Sequence, residues 1–380
     1  MVKRMSIWVV VLIAVTSCGS SESAEVPTTD AVASVVESAV ETSTTLPPDP
    51  GPNTPTGHVV LDGLPGGYER CNEDGNRKIS VDWRGPDEGS AGPQLPLHLA
   101  FTGAGGNYEA PHLFDWQAEA GLVGKDNLEG AFNVVVRFEC MNSPEYPELS
   151  SGSRSFFYLA DIGMNPQDVN YVYELLCTDL HKGSADAEKL VPVDLSRIDC
   201  SKVGLRGHSG GGFTAVMFLN ACFETLSITS NIRAVASVVG GFFPLGFCLI
   251  PGTTSVEYRF DSGIPLFMKV ACEDRKIPYG PFVREQWQKM GAPKFLYKRS
   301  GGHSQNDGAP GEANVTARLL SGEGLIQNFM RYYLLGDEGP TGLGALDDYP
   351  DLADLPTPTE FSSSYEYDGP IGTNLTGGLC

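Results

Sequence analysis

Between a short apolar run, Lys202-Val203-Gly204-Leu205, and a segment with helical spacing, Phe213 to Phe223, stands Gly207-His208-Ser209-Gly210-Gly211. A strand that gives way to a helix within five residues needs a very tight bend. Glycine at both ends of the bend removes the Cβ atoms that would strike the adjoining strand or helix. The strained turn then pushes the Ser209 hydroxyl outward. G-x-S-x-G in a strand–turn–helix context is the signature of a nucleophile elbow. Glycine-rich turns containing serine are common, so the pentapeptide needs partners before it speaks of chemistry.

The surrounding pattern predicts where those partners can come from. Lys78–Trp83 alternates and reads as an early edge strand. Leu95–Phe101 reads as a strand, with Pro96 near its start where a missing N–H is tolerated. Phe132–Phe138, Val203–Arg206, Ile232–Val239, Ile264–Ala271 and Lys294–Lys298 read as further strands. Helical spacing is predicted over His112–Leu122, Asp168–Leu180, Phe282–Met290 and Leu319–Leu335. Strands alternating with helices predict an α/β fold, a mostly parallel sheet with helices on both faces. In such sheets the chemistry sits beyond the carboxyl ends of the strands.

A serine hydroxyl is a poor nucleophile near neutral pH and needs a base, itself oriented by a carboxylate. The chain has 6 histidines. His303, in Ser300-Gly301-Gly302-His303, follows the last predicted strand, where a loop can reach over the top of the sheet. It is the candidate base; its other reading is an exposed loop histidine. His58, His98, His112, His181 and His208 lie at the domain start, in a strand, at a helix start, in a polar insertion and in the elbow itself. The carboxylate is expected in the loop after Ile264–Ala271. Asp274 is the candidate, with Glu273 in the same turn as its rival. Asp274 also fits a turn residue paired with Arg275. The order Ser209…Asp274…His303 is that of α/β-hydrolases. A developing oxyanion needs two backbone donors. The N–H of Gly210 is one, and the N–H of Ala104, in Thr102-Gly103-Ala104-Gly105-Gly106 after Leu95–Phe101, is the other. A phosphate-cradling role for this loop lacks the G-x-x-x-x-G-K-[ST] or G-x-G-x-x-G pattern that would support it. Tyr108 and Trp116, close to the loop in sequence, are candidates to line a substrate subsite; Trp116 fits a helix-core position as well.

These residues resemble a family. Pro96-Leu97-His98-Leu99-Ala100-Phe101-Thr102-Gly103-Ala104-Gly105-Gly106 is similar to the strand and His-Gly loop of the secreted polyhydroxybutyrate depolymerase and feruloyl esterase group. Asp168-Val169, Ile198-Asp199, the elbow, Ala271-Cys272-Glu273-Asp274-Arg275-Lys276-Ile277-Pro278-Tyr279 and Gly301-Gly302-His303 fit the same group. The resemblance spans Lys78 to Leu335. It implies an α/β-hydrolase fold and a serine carboxylic-ester hydrolase with no metal or cofactor, acting on polymer-linked, feruloyl or acetyl esters. Thr102 stands where that group has histidine, Gly210 where a larger residue often follows the serine, and His181–Asp194 looks inserted. A serine peptidase or amidase, or a non-catalytic surface binding protein on a hydrolase scaffold, are the alternative readings.

The N-terminus adds a location. Lys3-Arg4 and the apolar run Ile7–Val15 form a leader too short to span a bilayer, which takes roughly 20 apolar residues. Val15-Thr16-Ser17-Cys18 resembles a bacterial lipobox. Residues 1–17 are thus expected to be a lipoprotein signal peptide, with Cys18 lipidated and anchoring the protein to a membrane. An ordinary secretory leader is the alternative. Residues 18–57 are Ser/Thr/Pro-rich without Lys or Arg, a composition that cannot bury enough apolar surface to fold. As a flexible tether they would reach on the order of 35 Å. Residues 58–380 form the expected catalytic domain, with 336–380 an acidic extension. A net charge of −21 argues against a nucleic-acid partner; a monomer is expected. Of 9 cysteines, those after Cys18 suit disulfides in an exported chain. No C-x-x-C pair suggests a zinc site. Cys222 with Cys248 is the preferred pairing.

Overall fold

The computed structural model describes residues 57–65, 76–85, 92–104, 109–111, 127–142, 154–242, 262–271, 274, 277, 283–291, 293–299, 323–338 and 363–368. All belong to one compact unit, Asp49–Cys380. Its centre is a nine-stranded sheet of order β1-β2-β4-β3-β5-β6-β7-β8-β9. In chain order the strands are β1 Gly57–Pro65, β2 Asn76–Arg84, β3 Leu95–Phe101, β4 Phe132–Phe138, β5 Ile198–His208, β6 Ile232–Val238, β7 Leu266–Ala271, β8 Lys294–Arg299 and β9 Ser363–Asp368. From β4 through β8 every neighbour is parallel. The β1–β2, β2–β4 and β8–β9 pairs are antiparallel.

The parallel strands are buried on both faces, so apolar residues dominate both, with single buried polar residues such as His98, Asn133, Arg206 and Lys269 among them. Alternate residues serve opposite faces. Leu266, Met268, Val270 and Leu296 join the core beneath helices α2 (Arg154–Cys177) and α4 (Gly210–Met217). Phe267, Phe295 and Tyr297 face the other way, against Ile326, Phe329 and Met330 of the helix Glu323–Met330. Phe295 and Phe329 meet edge to face at 5.3 Å.

Several expectations are corrected. Lys78–Trp83 is not at an edge: β1 pairs outside it. Its alternation comes from a buried polar network, not from solvent. Asp82, fully buried, accepts from Arg137 Nη2 at 2.8 Å and bonds His58 Nδ1 at 2.9 Å. Lys294–Lys298 does not end the sheet, because β9, from the acidic extension, pairs with β8. Helix α2 starts well before Asp168 and stops at Cys177. Helix α4 ends at Met217, and Ala221–Phe223 forms a separate 3-10 turn. The predicted helix His112–Leu122 lies outside the described residues.

The polar insertion is tied down at both ends. Pro96 pairs with Asp199, but its successor Leu97 pairs with Val203, so residues 200–202 bulge from β5. There Cys200 bonds Cys177 at the end of α2, with 5.6 Å between the Cα atoms, closing a loop of sequence separation 23. Cys222 is also disulfide-bonded, whereas Cys248 lies outside the described residues. Within the loop stand helix α3 (Ala185–Lys189) and Asp186, which is only 4% exposed. Its oxygens accept from the backbone N–H groups of Asp62 at 2.8 Å and Gly63 at 3.0 Å, and from Tyr171 Oη at 2.9 Å. Lys189 Nζ adds an ion pair at 3.1 Å. Burial alone would raise the Asp186 pKa. The two backbone donors, with Tyr171 and Lys189, outweigh it and hold the carboxyl below its ordinary value.

A depressed folded pKa contributes stability above the unfolded value of about 3.9, lost as pH falls through the folded value. Asp186→Asn is therefore expected to lose about 1–3 kcal/mol at pH 7. Urea unfolding at pH 7 and pH 3 checks this: the gap from wild type should narrow at the lower pH, and an unchanged gap would refute the charge dependence.

Candidate active site

Strand β5 ends at His208 and α4 begins at Gly210, so Ser209 alone makes the reversal. Its backbone sits at φ 53°, ψ −118°. Such a conformation costs a residue with a Cβ about 1–3 kcal/mol and persists only where the surroundings enforce it. The enforcement is visible. The Ser209 N–H donates to Val238 O of β6 at 2.8 Å, and Ser209 O accepts from Phe213 N–H at 3.2 Å as α4 starts. A Cβ on Gly207 would stand 1.9 Å from Gly211 O, and one on Gly211 would stand 2.3 Å from Phe101 O. The two outer glycines of the pentapeptide are thus fixed by backbone contacts, which no rotamer change can relieve. Below, the Thr214 hydroxyl donates to Gly210 O at 3.1 Å and accepts from Asn165 Nδ2 of α2 at 2.9 Å.

Ser209 is 8% exposed and its side chain does not cap the helix it begins. A helix N-terminus presents backbone N–H groups and the positive end of the helix dipole, a setting that favours developing negative charge. Gly210 is the first residue of that helix. Across from it lies the loop after β3. A Cβ on Gly103 would meet His208 Nδ1 at 3.0 Å and Ser209 Cβ at 3.1 Å, so this loop rests directly on the elbow. Ala104 follows, exposed.

Asp274 lies just beyond the carboxyl end of β7, 4% exposed. Its N–H donates to Ala271 O at 3.2 Å, and its Oδ1 accepts from Ile277 N–H at 2.9 Å, which makes a tight turn with a fixed carboxylate. Register places His208 beside Val238 and Val238 beside Lys269, so Ser209 and Asp274 leave the same end of the sheet, separated by β6. Two strand spacings are roughly 10 Å. An imidazole bonded to both groups is suited to such a gap. His303, four positions after the last residue of β8, lies outside the described residues, as do Glu273, Tyr108, Trp116 and Cys18. Of the described histidines, His208 belongs to the elbow, His58 bonds Asp82, His98 Nδ1 bonds Asn133 Oδ1 at 2.9 Å, and His181 bonds Glu174 at 2.9 Å. Among the described residues, no group of three or more His, Cys, Asp or Glu side chains could hold a metal ion.

A mostly parallel sheet ordered 1-2-4-3-5-6-7-8-9, with a strained serine between its fifth strand and the next helix, decides the architecture. The chain has the α/β-hydrolase fold. No protein-family model and no curated protein matches the sequence. Among solved structures it is similar to a ferulic acid esterase from Streptomyces cinnamoneus, with 16% identity over 83% of this chain and 98% of that one and a TM-score of 0.46. It is also similar to an acylaminoacyl peptidase from Pyrococcus horikoshii, with 12% identity over 76% of this chain and a TM-score of 0.44. The chain spans 43% of the length of that peptidase. Neither likeness lends this chain an activity.

One residue at this end of the sheet escapes motif reading. Asn142 ends the short helix α1 (Glu139–Asn142) after β4 and reaches the loop after β3. Its partners in that loop are 39 and 40 positions away, so no local spacing announces the contact. A cavity of about 750 Å³ in the insertion, lined by Leu175, Leu190, Val193 and Leu195, precedes β5 and stands at the opposite end of that strand from Ser209.

Gly207→Ala is expected to cost at least about 3 kcal/mol or to prevent folding, since the backbone of Gly211 occupies the space a methyl would need. Thermal unfolding measures it; a wild-type melting temperature would contradict the tight elbow.

Proposed function

We propose that this chain is a serine hydrolase that cleaves carboxylic esters through an acyl-enzyme. The observation that carries the reading is the strained Ser209, held between the N-terminus of α4 and the Gly103 loop. Ser209 Oγ attacks the ester carbonyl while His303 accepts its proton. Asp274 orients the imidazole and stabilises its charged form. The N–H groups of Gly210 and Ala104 receive the oxyanion. The C–O bond breaks, and the alcohol leaves with the proton returned by His303. Water, deprotonated by the same imidazole, then releases the acid and restores Ser209. No step of this cycle draws on a cofactor.

The substrates proposed are polymer-linked esters: a polyhydroxyalkanoate or other polyester, or feruloyl and acetyl groups on a polysaccharide. The reasons are the resemblance of the motif-bearing segments and an exported location. In this reading Cys18 carries the lipid, residues 18–57 form the tether, and the enzyme works as a monomer on the outer face of a membrane. The Cys177–Cys200 disulfide suits an oxidising compartment.

Fluorophosphonate labelling and hydrolysis of short p-nitrophenyl esters test the chemistry. Wild type is expected to label at Ser209. Ser209→Ala should lose at least about 10³-fold in kcat and Asp274→Asn about 10²–10⁴-fold. A folded wild type that neither labels nor hydrolyses would sink the enzyme reading, and preferential cleavage of amides would favour a peptidase. For the anchor, Cys18→Ala should move the protein from the membrane fraction to the medium; unchanged membrane association would count against lipidation.

A further inference from the structure

The Gly103–Ala104 peptide is gripped from one side by a buried amide. Asn142 is 1% exposed. Its Oδ1 accepts from the Phe138 N–H at 2.9 Å. That bond fixes which end of the amide is oxygen, because a backbone N–H can only donate. The Nδ2 end therefore faces the loop after β3, where it donates to Gly103 O at 2.6 Å and to Thr102 Oγ1 at 3.0 Å. Both bonds join the end of β4 to the loop of its parallel neighbour β3.

Peptide planarity turns this grip into a direction. In a trans peptide the carbonyl oxygen and the amide hydrogen point opposite ways. Drawing Gly103 O toward Asn142 turns the Ala104 N–H away from Asn142. We infer that Asn142 is a positioning residue that aims the Ala104 N–H at the oxyanion, acting through the Gly103–Ala104 peptide and the Thr102 hydroxyl without touching substrate. The inference rests on the acyl-transfer reading of Ser209 and adds to it what orients its second donor. It also gives Thr102 a role. A hydroxyl at that position accepts the same Nδ2 that holds the Gly103 carbonyl, so loop and amide lock together. Asparagine suits position 142 because the site asks one side chain for an acceptor on one end and a donor on the other. Aspartate matches the shape but sets an oxygen against the Gly103 carbonyl, which cannot donate.

Asn142→Asp, Asn142→Ala and Thr102→Val form the test. The readouts are kcat and KM on a p-nitrophenyl ester, affinity for a trifluoromethyl ketone, and melting temperature. The ketone adds to Ser209 and places an oxyanion in the hole, so it reports the donors directly. In folded Asn142 variants kcat should fall about 10²-fold or more, approaching loss of one donor, with KM changed less than about threefold. Ketone affinity should fall in parallel. Thr102→Val should lower kcat by about threefold or more while KM holds, since the Gly103 bond remains. A folded Asn142 variant with wild-type kcat, or with lowered kcat and unchanged ketone affinity, overturns the inference. If neither Asn142 variant folds, a wild-type kcat in Thr102→Val overturns it. Should the wild type prove inactive, acyl transfer fails on its own account, and a crystal structure of Asn142→Asp decides the positioning. A turned Gly103–Ala104 peptide upholds it; an unmoved peptide overturns it.

Discussion

Ser209 holds a backbone angle that a side chain resists, and much of the upper end of the sheet is built to keep it there. The Gly207–Gly211 approach leaves no room for the turn to relax, and the carbonyl of Phe101 closes it from the β3 side. The Ser209 N–H is tied to Val238, and the next residue, Val239, is itself held at φ 43° with its N–H bonded to Lys269 O at 2.7 Å. These two bonds run in sequence from β5 to β6 to β7. They fix the serine relative to the strand that delivers Asp274. Strain of about 1–3 kcal/mol at each such residue is affordable because the core beneath is large and continuous. Small residues let it close: Gly212, Ser237 and Gly240 meet under the first turn of α4.

The same end of the sheet shows how a parallel arrangement places chemistry. Loops after β3, β4, β5 and β7 all emerge at one end of the sheet and bring there the Gly103 peptide, the Asn142 amide, Ser209 and the Asp274 carboxylate. Far from this, the Cys177–Cys200 loop and the Asp186 contacts bind the insertion to β1 and β5.

Legibility followed range. The strands β3 to β8 announce themselves because buried parallel strands must be apolar on both faces. The pentapeptide is legible because its constraint lies within five residues. β1 and β9 are not. β9, Ser363–Asp368, is an antiparallel edge strand with polar and acidic residues, held through backbone pairing. Lys78–Trp83 misleads because Asp82 and Ser80 mimic a solvated face while facing Arg137 in the interior. Asn142 looks like any polar residue after a strand until β3 and β4 are seen side by side.

The sequence by itself determined the class of fold, the elbow, the order in which Ser209, Asp274 and His303 occur along the chain, and the strands that Ser209 and Asp274 follow. Each is written in local spacing, where backbone geometry and side-chain volume act over a few residues. Only the tertiary structure decided which strands lie at the edges, that Cys200 pairs with Cys177, that Asp186 caps a bend in β1, and that Asn142 holds Gly103. Those contacts join segments 23 to 124 positions apart. They exist because the chain path brings distant segments side by side, and no short-range pattern encodes that path.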